Sequence, residues 1–242
     1  MKKIIKKPEV ILFDCFETLI KNEITIWHEL FNNLVLEHQL RIDALELWGL
    51  WKKEEINFRN IRNNLSNLNQ NPPFITYKQA WQNCFDKVFA KLGNKNISQK
   101  CAESSIKSMA SNEPYEDSEE MIINLSKYSK IGIISNADNN FLIPVLNKIN
   151  FKFDFILSSE DAECYKPNPK IFEIFLEKYN INAQNCWYVG DKEFDDVIGS
   201  SSVGMQPILI NRNIYNDTYK NEKYIGISNL KQLYEEVIIN ES

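Results

Sequence analysis

Residues 11–20 read ILFDCFETLI, in which the apolar run Ile11–Phe13 leads directly into the carboxylate of Asp14. Such β-prone runs are typical of buried strands, and open α/β sheets place their chemistry at the carboxyl ends of those strands. Two residues after Asp14 stands Phe16, where a proton-transferring side chain would be useful. The segment therefore indicates an anionic nucleophile and leaves open whether the usual proton donor is present.

The composition is that of an ordinary globular chain. Its 242 residues are 43% hydrophobic and 25% charged, which suffices for a core without staples. The net charge of −5 argues against a nucleic-acid partner, and no apolar stretch reaches the roughly 18 residues that a membrane span needs. Five scattered cysteines and two histidines favour neither a zinc site nor a disulfide framework. We expect reduced thiols in a cytoplasmic protein with no membrane partner.

Three later segments repeat the pattern of an apolar strand that ends in a polar turn before a helix. They are Ile131–Ile134, Phe153–Leu157 and Cys186–Val189, and Gln206–Ile210 indicates a further strand. Strands that alternate with helices imply parallel βαβ units. The sequence therefore predicts an α/β fold whose core is a Rossmann-like, doubly wound parallel sheet.

The segment between the first and second strands has a different pattern. Its apolar residues recur at helical spacing, for example in Leu45–Ile56 and Trp81–Leu92, and no comparable β-type run interrupts them. We therefore predict that residues 21–111 form an all-helical cap subdomain, inserted after the first strand. The core is predicted to comprise residues 1–20 and 112–242.

Four polar side chains stand at or just past the ends of four predicted strands: Asp14, Ser135, Lys166 and Asp191. Each has an ordinary structural explanation by itself, as a helix cap, a surface lysine or an acidic turn at a helix start. A doubly wound sheet, however, gathers these strand ends into one crevice. The joint pattern favours a single site.

These segments resemble the motifs of the haloacid dehalogenase superfamily, whose members include many phosphatases. In chain order, residues 14–19 (DCFETL) look like the nucleophile loop and residues 133–137 (IISNA) like the Ser or Thr motif. Residues 158–172 match the lysine motif, and residues 189–205 look like the acidic motif with its trailing helix. Four motifs in this order cover essentially the whole predicted core.

The resemblance implies a catalytic role for each matching residue. Asp14 would be the nucleophile of a two-step displacement through a covalent aspartyl intermediate. Lys166 would neutralise Asp14 and the transferring group, while Ser135 and Asn136 would bind that group. The helical cap would close over the crevice and select the substrate.

The resemblance also implies a Mg²⁺ cofactor. The Asp14 carboxylate, the backbone carbonyl of Phe16 and Asp191 would hold the ion, with waters completing its coordination. Asp196, or alternatively Asp195, would orient the cluster or a metal-bound water.

The sequence departs from the phosphatase pattern at Phe16, where the family usually carries a second Asp that protonates the leaving oxygen and then activates water. Such assistance contributes about 10²–10⁴ in rate. Glu17, which replaces the usual Gly, is one candidate substitute, and a carboxylate of the cap is another.

Two other branches of the superfamily also lack this Asp. The 2-haloacid dehalogenases carry an aromatic residue there, need no metal and bind substrate with a cap arginine, for which Arg41, Arg59 and Arg62 are available. They carry Ser in place of Asp191, because a second carboxylate without a cation would repel the nucleophile. Phosphonoacetaldehyde hydrolases use a cap lysine, for which Lys52 and Lys53 are the candidates.

We therefore expect a Mg²⁺-dependent hydrolase of phosphatase type that acts on a small phosphorylated metabolite. A metal-free 2-haloacid dehalogenase is the second hypothesis. A catalytically weak phosphate-binding or regulatory protein, motivated by Phe16, is the third. The complete set of Asp14, Ser135, Lys166 and Asp191 argues against the third, because a scaffold need not keep an assembled charge cluster.

Overall fold

A seven-stranded sheet is the central feature of the computed structural model, which describes residues 7–67, 70–93, 96–213 and 217–239. The strand order is β3-β2-β1-β4-β5-β7-β6, and all neighbours are parallel except β6 and β7. The prediction of a Rossmann-like parallel sheet is confirmed. The strands are β1 (Val10–Phe13), β2 (Lys130–Ser135), β3 (Phe155–Ser158), β4 (Cys186–Gly190), β5 (Gln206–Ile210), β6 (Tyr219–Lys220) and β7 (Ile225–Ile227).

β1 lies in the middle of the sheet, between β2 and β4. All four of its residues are buried, as expected of a central parallel strand covered on both faces, and this explains the unbroken apolar run. The strand order reverses at β1, since β2 and β3 lie on one side and β4 and β5 on the other. Asp14 therefore follows the topological switch point, where open α/β sheets bind ligands.

Helices connect the strands. The helix Pro169–Tyr179 begins at Pro169 because Asn168 accepts a hydrogen bond from the Lys170 N–H and Pro169 occupies the first turn. Residues Glu193–Ile198 form a π-helix, which is followed by one α-helical turn. The helices are α1 (Ile24–Glu37), α2 (Ala44–Ile61), α3 (Tyr77–Leu92), α4 (Ser98–Ala110), α5 (Ser118–Leu125), α6 (Asn139–Leu146), α7 (Ser159–Ala162), α8 (Pro169–Tyr179), the 3₁₀ turn Ala183–Asn185, the π-helix Glu193–Ile198, α9 (Gly199–Ser202) and α10 (Leu230–Ile239).

The chain divides into two compact units. The core unit contains the chain up to Lys21, Glu113–Asn136 and the chain from Val145 onward, and it holds the whole sheet. The helical unit contains Asn22–Asn112 together with Ala137–Pro144. As functional domains, the predicted core and cap stay predictions. Among the described residues, no helix combines the length and apolarity needed to cross a membrane.

The short segment 137–144 belongs to the helical unit because of contacts with α3. The buried Asp138 carboxylate accepts hydrogen bonds from the backbone N–H groups of Tyr77, at 2.7 Å, and of Lys78, at 2.8 Å. Phe141 stacks on Trp81, with ring centroids 5.7 Å apart. Asp138 thus caps the N-terminus of α3, where backbone donors lack partners within the helix.

Candidate active site

Asp14 is largely buried directly after β1, and its backbone N–H donates to the carbonyl of Val189 in β4. Its Oδ1 accepts from the hydroxyl of Ser135 and from Nζ of Lys166, each at 2.8 Å. Oδ2 has no hydrogen-bond partner within the described part of the chain. The two donors therefore fix the carboxylate through Oδ1.

Lys166 is fully buried, and its ammonium group makes three hydrogen bonds. Nζ lies 2.8 Å from Oδ1 of Asp14, 2.6 Å from Oδ1 of Asp196 and 2.7 Å from the hydroxyl of Tyr188, which matches the three donors of a lysine. Burial alone would lower the pKa of Lys166, but Asp14 and Asp196 more than offset it and raise that pKa well above its usual range. Lys166 therefore stays charged.

The backbone of Lys166 is held by the side chain of Asn136. Oδ1 of Asn136 accepts from the Lys166 N–H at 2.8 Å, and Nδ2 donates to the Lys166 carbonyl at 3.1 Å. The sequence predicts that Asn136 binds the substrate, and that role stays a prediction. In the structure the amide positions the lysine, which then reaches Asp14.

Asp196 is buried on the π-helix, against the end of β4. Its Oδ1 accepts from Lys166, and its Oδ2 accepts from the backbone N–H of Lys192 at 2.9 Å. A Cβ atom at Gly190 would lie 2.3 Å from Cγ of Asp196, so this close approach requires glycine. π-Helical turns are frequent at functional sites, and here one brings Asp196, rather than Asp195, to the site.

Oxygen atoms of Asp14, Asp191 and Asp196, the carboxylate cluster, lie within 4.8 Å of one another. Burial and the charges of Asp196 and Asp14 raise the pKa of Asp191 to about 7. Burial, with Asp14 adding to it, raises the pKa of Asp196 to about 6, although Lys166 acts in the opposite direction. A hard divalent cation would relieve this repulsion, and an all-oxygen donor set is the one that Mg²⁺ prefers.

The donor set therefore fits Mg²⁺, with a refinement of the predicted ligands. Asp14 and Asp191 are available to hold the ion, whereas both oxygens of Asp196 already accept hydrogen bonds from Lys166 and Lys192. Asp196 would therefore position Lys166 and the Lys192 backbone and would not itself bind the metal ion. The role of the Phe16 carbonyl stays a prediction.

The loop after Asp14 holds the two residues that depart from the phosphatase pattern. Phe16 is half-buried and forms an isolated β-bridge with Ile20. Glu17 has φ of 62°, in the left-handed region that favours glycine, and its N–H donates to the Ile20 carbonyl at 2.7 Å. The usual Gly of the family motif is thus replaced by a residue in the conformation that glycine would adopt most readily.

Tyr188 is a site residue that sequence reasoning missed. It lies buried in β4, donates its hydroxyl to the carbonyl of Ile134 at 2.7 Å and accepts from Nζ of Lys166. Burial raises the pKa of Tyr188 well above its usual range, so the hydroxyl stays protonated. The sequence contained a signal for this role, because a tyrosine within a predicted buried strand needs a hydrogen-bond partner for its hydroxyl.

The basic residues considered for the dehalogenase and Schiff-base alternatives lie in the helical unit. Lys52 and Arg59 form ion pairs with the buried Glu55, and Arg62 donates to the hydroxyl of Tyr77 at 2.8 Å. These contacts give the three residues structural roles within the helical unit. Arg41 and Lys53 are exposed.

The cysteines behave as packing residues. All five are buried free thiols: Cys15, Cys84, Cys101, Cys164 and Cys186. Burial, followed by the adjacent Asp14 charge, raises the pKa of Cys15 well above its usual range. The thiol beside Asp14 therefore stays protonated, and a protonated thiol is a poor nucleophile.

A family model places the chain among known proteins. The model described as haloacid dehalogenase-like hydrolase matches residues 8–204. The chain belongs to this family. It is a hydrolase of the haloacid dehalogenase superfamily, and the matched range includes three of the motifs and all but the last residue of the fourth.

Curated relatives match a shorter part of the chain. Haloacid dehalogenase-like hydrolase domain-containing protein 3 of Danio rerio is 38% identical over 85 residues, which cover 34% of this chain and 35% of that protein. Glyceraldehyde 3-phosphate phosphatase of Pyrococcus abyssi is 36% identical over 56 residues, which cover 23% of this chain and 24% of the relative. The chain thus spans only about a quarter to a third of the length of these relatives.

Solved structures of the superfamily share the fold over nearly the whole chain. The HAD-hydrolase YfnB from Bacillus subtilis bound to magnesium has a TM-score of 0.76 at 17% identity, covering 96% of this chain and 100% of that one. L-2-haloacid dehalogenase from Xanthobacter autotrophicus with chloropropionic acid covalently bound has a TM-score of 0.71 at 14% identity, covering 96% and 98%. At these identities the likeness is one of fold.

Proposed function

We propose that the chain is a Mg²⁺-dependent phosphatase that transfers the phosphoryl group of a small phosphorylated metabolite first to Asp14 and then to water. The observation that carries this proposal is the carboxylate cluster, whose oxygens converge within 4.8 Å beside the nucleophile. Displacement of halide needs no metal, and without a cation the Asp191 carboxylate would repel the Asp14 nucleophile. The phosphatase among the relatives and the magnesium bound to YfnB support the proposal.

The first step forms a bond from Oδ2 of Asp14 to phosphorus and breaks the bond from phosphorus to the leaving oxygen. Lys166 and Ser135 hold Oδ1 of the nucleophile, and the Lys166 charge reduces its repulsion of the phosphate. Mg²⁺, when held by Asp14 and Asp191, would neutralise further negative charge on the phosphate.

In the second step, water attacks phosphorus and breaks the bond to Asp14, which releases inorganic phosphate and regenerates the carboxylate. The leaving oxygen gains a proton in the first step, and the attacking water loses one in the second. Phe16 can exchange neither proton. Substrates with a strongly basic leaving oxygen are therefore expected to react slowly.

The function is tested on an aryl phosphate, p-nitrophenyl phosphate, and on a panel of alkyl phosphates that includes triose phosphates. We expect hydrolysis in the presence of Mg²⁺ and none in EDTA, since no divalent cation then neutralises the phosphate beside the carboxylate cluster. Asp191→Asn should abolish the Mg²⁺-dependent rate, whereas Asp86→Asn, on the exposed side of α3, should not. Release of chloride from 2-chloropropionate in EDTA would overturn the proposal.

Phe16 itself provides a separate prediction. Phe16→Asp is expected to raise the turnover of alkyl phosphates by about 10²-fold, because it restores a group that can protonate the leaving oxygen. The p-nitrophenyl rate should change less, since that leaving group departs without a proton. Phe16→Asn, similar in size but unable to transfer a proton, is the control. An unchanged alkyl rate in Phe16→Asp would mean that another group already carries the proton.

A 2-haloacid dehalogenase is the second candidate, favoured by the aromatic residue at position 16. Halide leaves without a proton, so this reaction needs no general acid at Phe16. A phosphate-binding protein is the remaining outcome of the same assays: inactivity on both substrate panels, with inorganic phosphate still raising the melting temperature.

A further inference from the structure

We propose that the Lys192 side chain is a tethered counter-ion of the carboxylate cluster, which pairs with Asp191 in the metal-free protein and leaves when Mg²⁺ binds. This rests on the proposed function, because it concerns how the same site loads its cation. Lys192 lies within the acidic motif, directly after Asp191, but sequence reasoning gives it no role.

The geometry of Lys192 suits a reversible partner. Its Nζ forms an ion pair with Oδ2 of Asp191, and the lysine side chain is 57% exposed whereas the Asp191 side chain is 12% exposed. The lysine therefore reaches from solvent to a mostly covered carboxylate. Its backbone N–H is fixed by Asp196, so the side chain can swing away while the main chain stays in place.

Lys166 is a contrasting case in the same cluster. Its side chain is only 2% exposed and its three donors are all engaged, so it cannot leave without exposing buried charge. The site thus has one buried ammonium group that stays in place, on Lys166, and one that can move into solvent, on Lys192.

Charge balance explains why the exchange would follow metal binding. With all three carboxylates ionised, the carboxylate cluster carries three negative charges, and Lys166 and Lys192 together offset two of them. A divalent cation and Lys166 alone offset all three, so Lys192 would then add an excess positive charge close to the ion. The cation and the lysine therefore compete for Asp191.

A displaced Lys192 has another carboxylate nearby. Glu17 is among the negative charges that act on the Lys192 ammonium group, together with Asp191 and Asp14. The ammonium group is therefore attracted by negative charges other than that of Asp191.

The test is the affinity of the protein for Mg²⁺, measured by isothermal titration calorimetry without substrate. Lys192→Gln should bind Mg²⁺ about fivefold more tightly than wild type, the effect of removing a competing surface ion pair of about 1 kcal/mol. Lys192→Arg, which keeps the charge, should bind like wild type. Lys231→Gln, which removes an exposed charge on α10, should also leave the affinity unchanged.

The melting temperature gives a second readout. Without Mg²⁺, Lys192→Gln should melt below wild type, because the carboxylate cluster loses a counter-charge, and with saturating Mg²⁺ the difference should vanish. Equal Mg²⁺ affinity in Lys192→Gln and Lys231→Gln would overturn the proposal while leaving the phosphatase function intact. If wild type binds no Mg²⁺, the metal-dependent function fails as well, so the two failures are distinguishable.

Discussion

Asp14→Asn is expected to lower phosphate release by about 10⁴-fold or more, because a neutral amide cannot act as the nucleophile. The substitution keeps the shape of the side chain, and its amide oxygen can still accept from Ser135. It also removes one negative charge from a crowded cluster, so the melting temperature should not fall. Steady-state rates on the same aryl phosphate, alongside thermal unfolding, provide the measurement.

Asp86→Asn is the matched control for this variant, since it makes the same chemical change on an exposed face of α3. Its activity should equal that of wild type. If Asp14→Asn kept a tenth or more of the wild-type rate, water would attack the substrate directly and no aspartyl intermediate would be needed.

Lys166→Met is expected to lower both activity and stability. Methionine has similar length but no charge, so Asp14 and Asp196 lose their shared buried counter-ion. Breaking a buried pair in this way costs about 3–5 kcal/mol in the free energy of unfolding, and loss of the charge beside the nucleophile should lower kcat about 10²–10³-fold. Urea denaturation and initial rates measure the two effects.

The stability deficit of Lys166→Met should depend on pH. The pKa of Asp196 is raised to about 6 by burial even though Lys166 lowers it, so removal of Lys166 will raise it further. The pKa of an unfolded Asp is about 3.9, and between these values the folded state binds more protons than the unfolded state. The free energy of unfolding therefore falls as pH rises, and it falls more in Lys166→Met than in wild type. The deficit of the variant should shrink as the pH is lowered from about 8 to about 5.

Lys170→Met serves as the control, because Lys170 is exposed in the first turn of α8. Its unfolding free energy should lie within about 0.5 kcal/mol of wild type at every pH. A deficit in Lys166→Met that did not vary with pH would assign the effect to packing and not to charge.

The main strands were predictable because parallel strands buried on both faces are continuous apolar runs. β6 and β7 were not predicted: Ile225–Ile227 is three residues long and contains a glycine, which is too short a signal. α4 lies within the segment predicted to be all-helical, but its own bounds were not predicted, since its buried residues include Cys101, Ala102 and Ser105, which make a weak apolar stripe. The assignment of residues 137–144 to the helical unit depends on hydrogen bonds with α3, which no local pattern encodes.

The convergence of Asp14, Ser135, Lys166 and Asp191 was predictable, since parallel strands deliver their carboxyl ends to one edge of a sheet. Their catalytic roles remain predictions. Tyr188 was not found because the apolar pattern counts a strand tyrosine as core, although its buried hydroxyl needs a partner. Lys192 resembles any surface lysine after an acidic residue, and only the folded geometry shows its contact with Asp191.

Asp138 determines how the helical unit can be exchanged between proteins. Asp138 is 2% exposed, and its carboxylate accepts from two backbone donors of α3, although residues 137–144 and α3 are far apart in sequence. A chimaera that replaces residues 22–112 with a different helical segment would cover this carboxylate without supplying those donors, which is costly. A graft of the helical unit must therefore bring residues 137–144 with it, so the two segments constitute one transferable part.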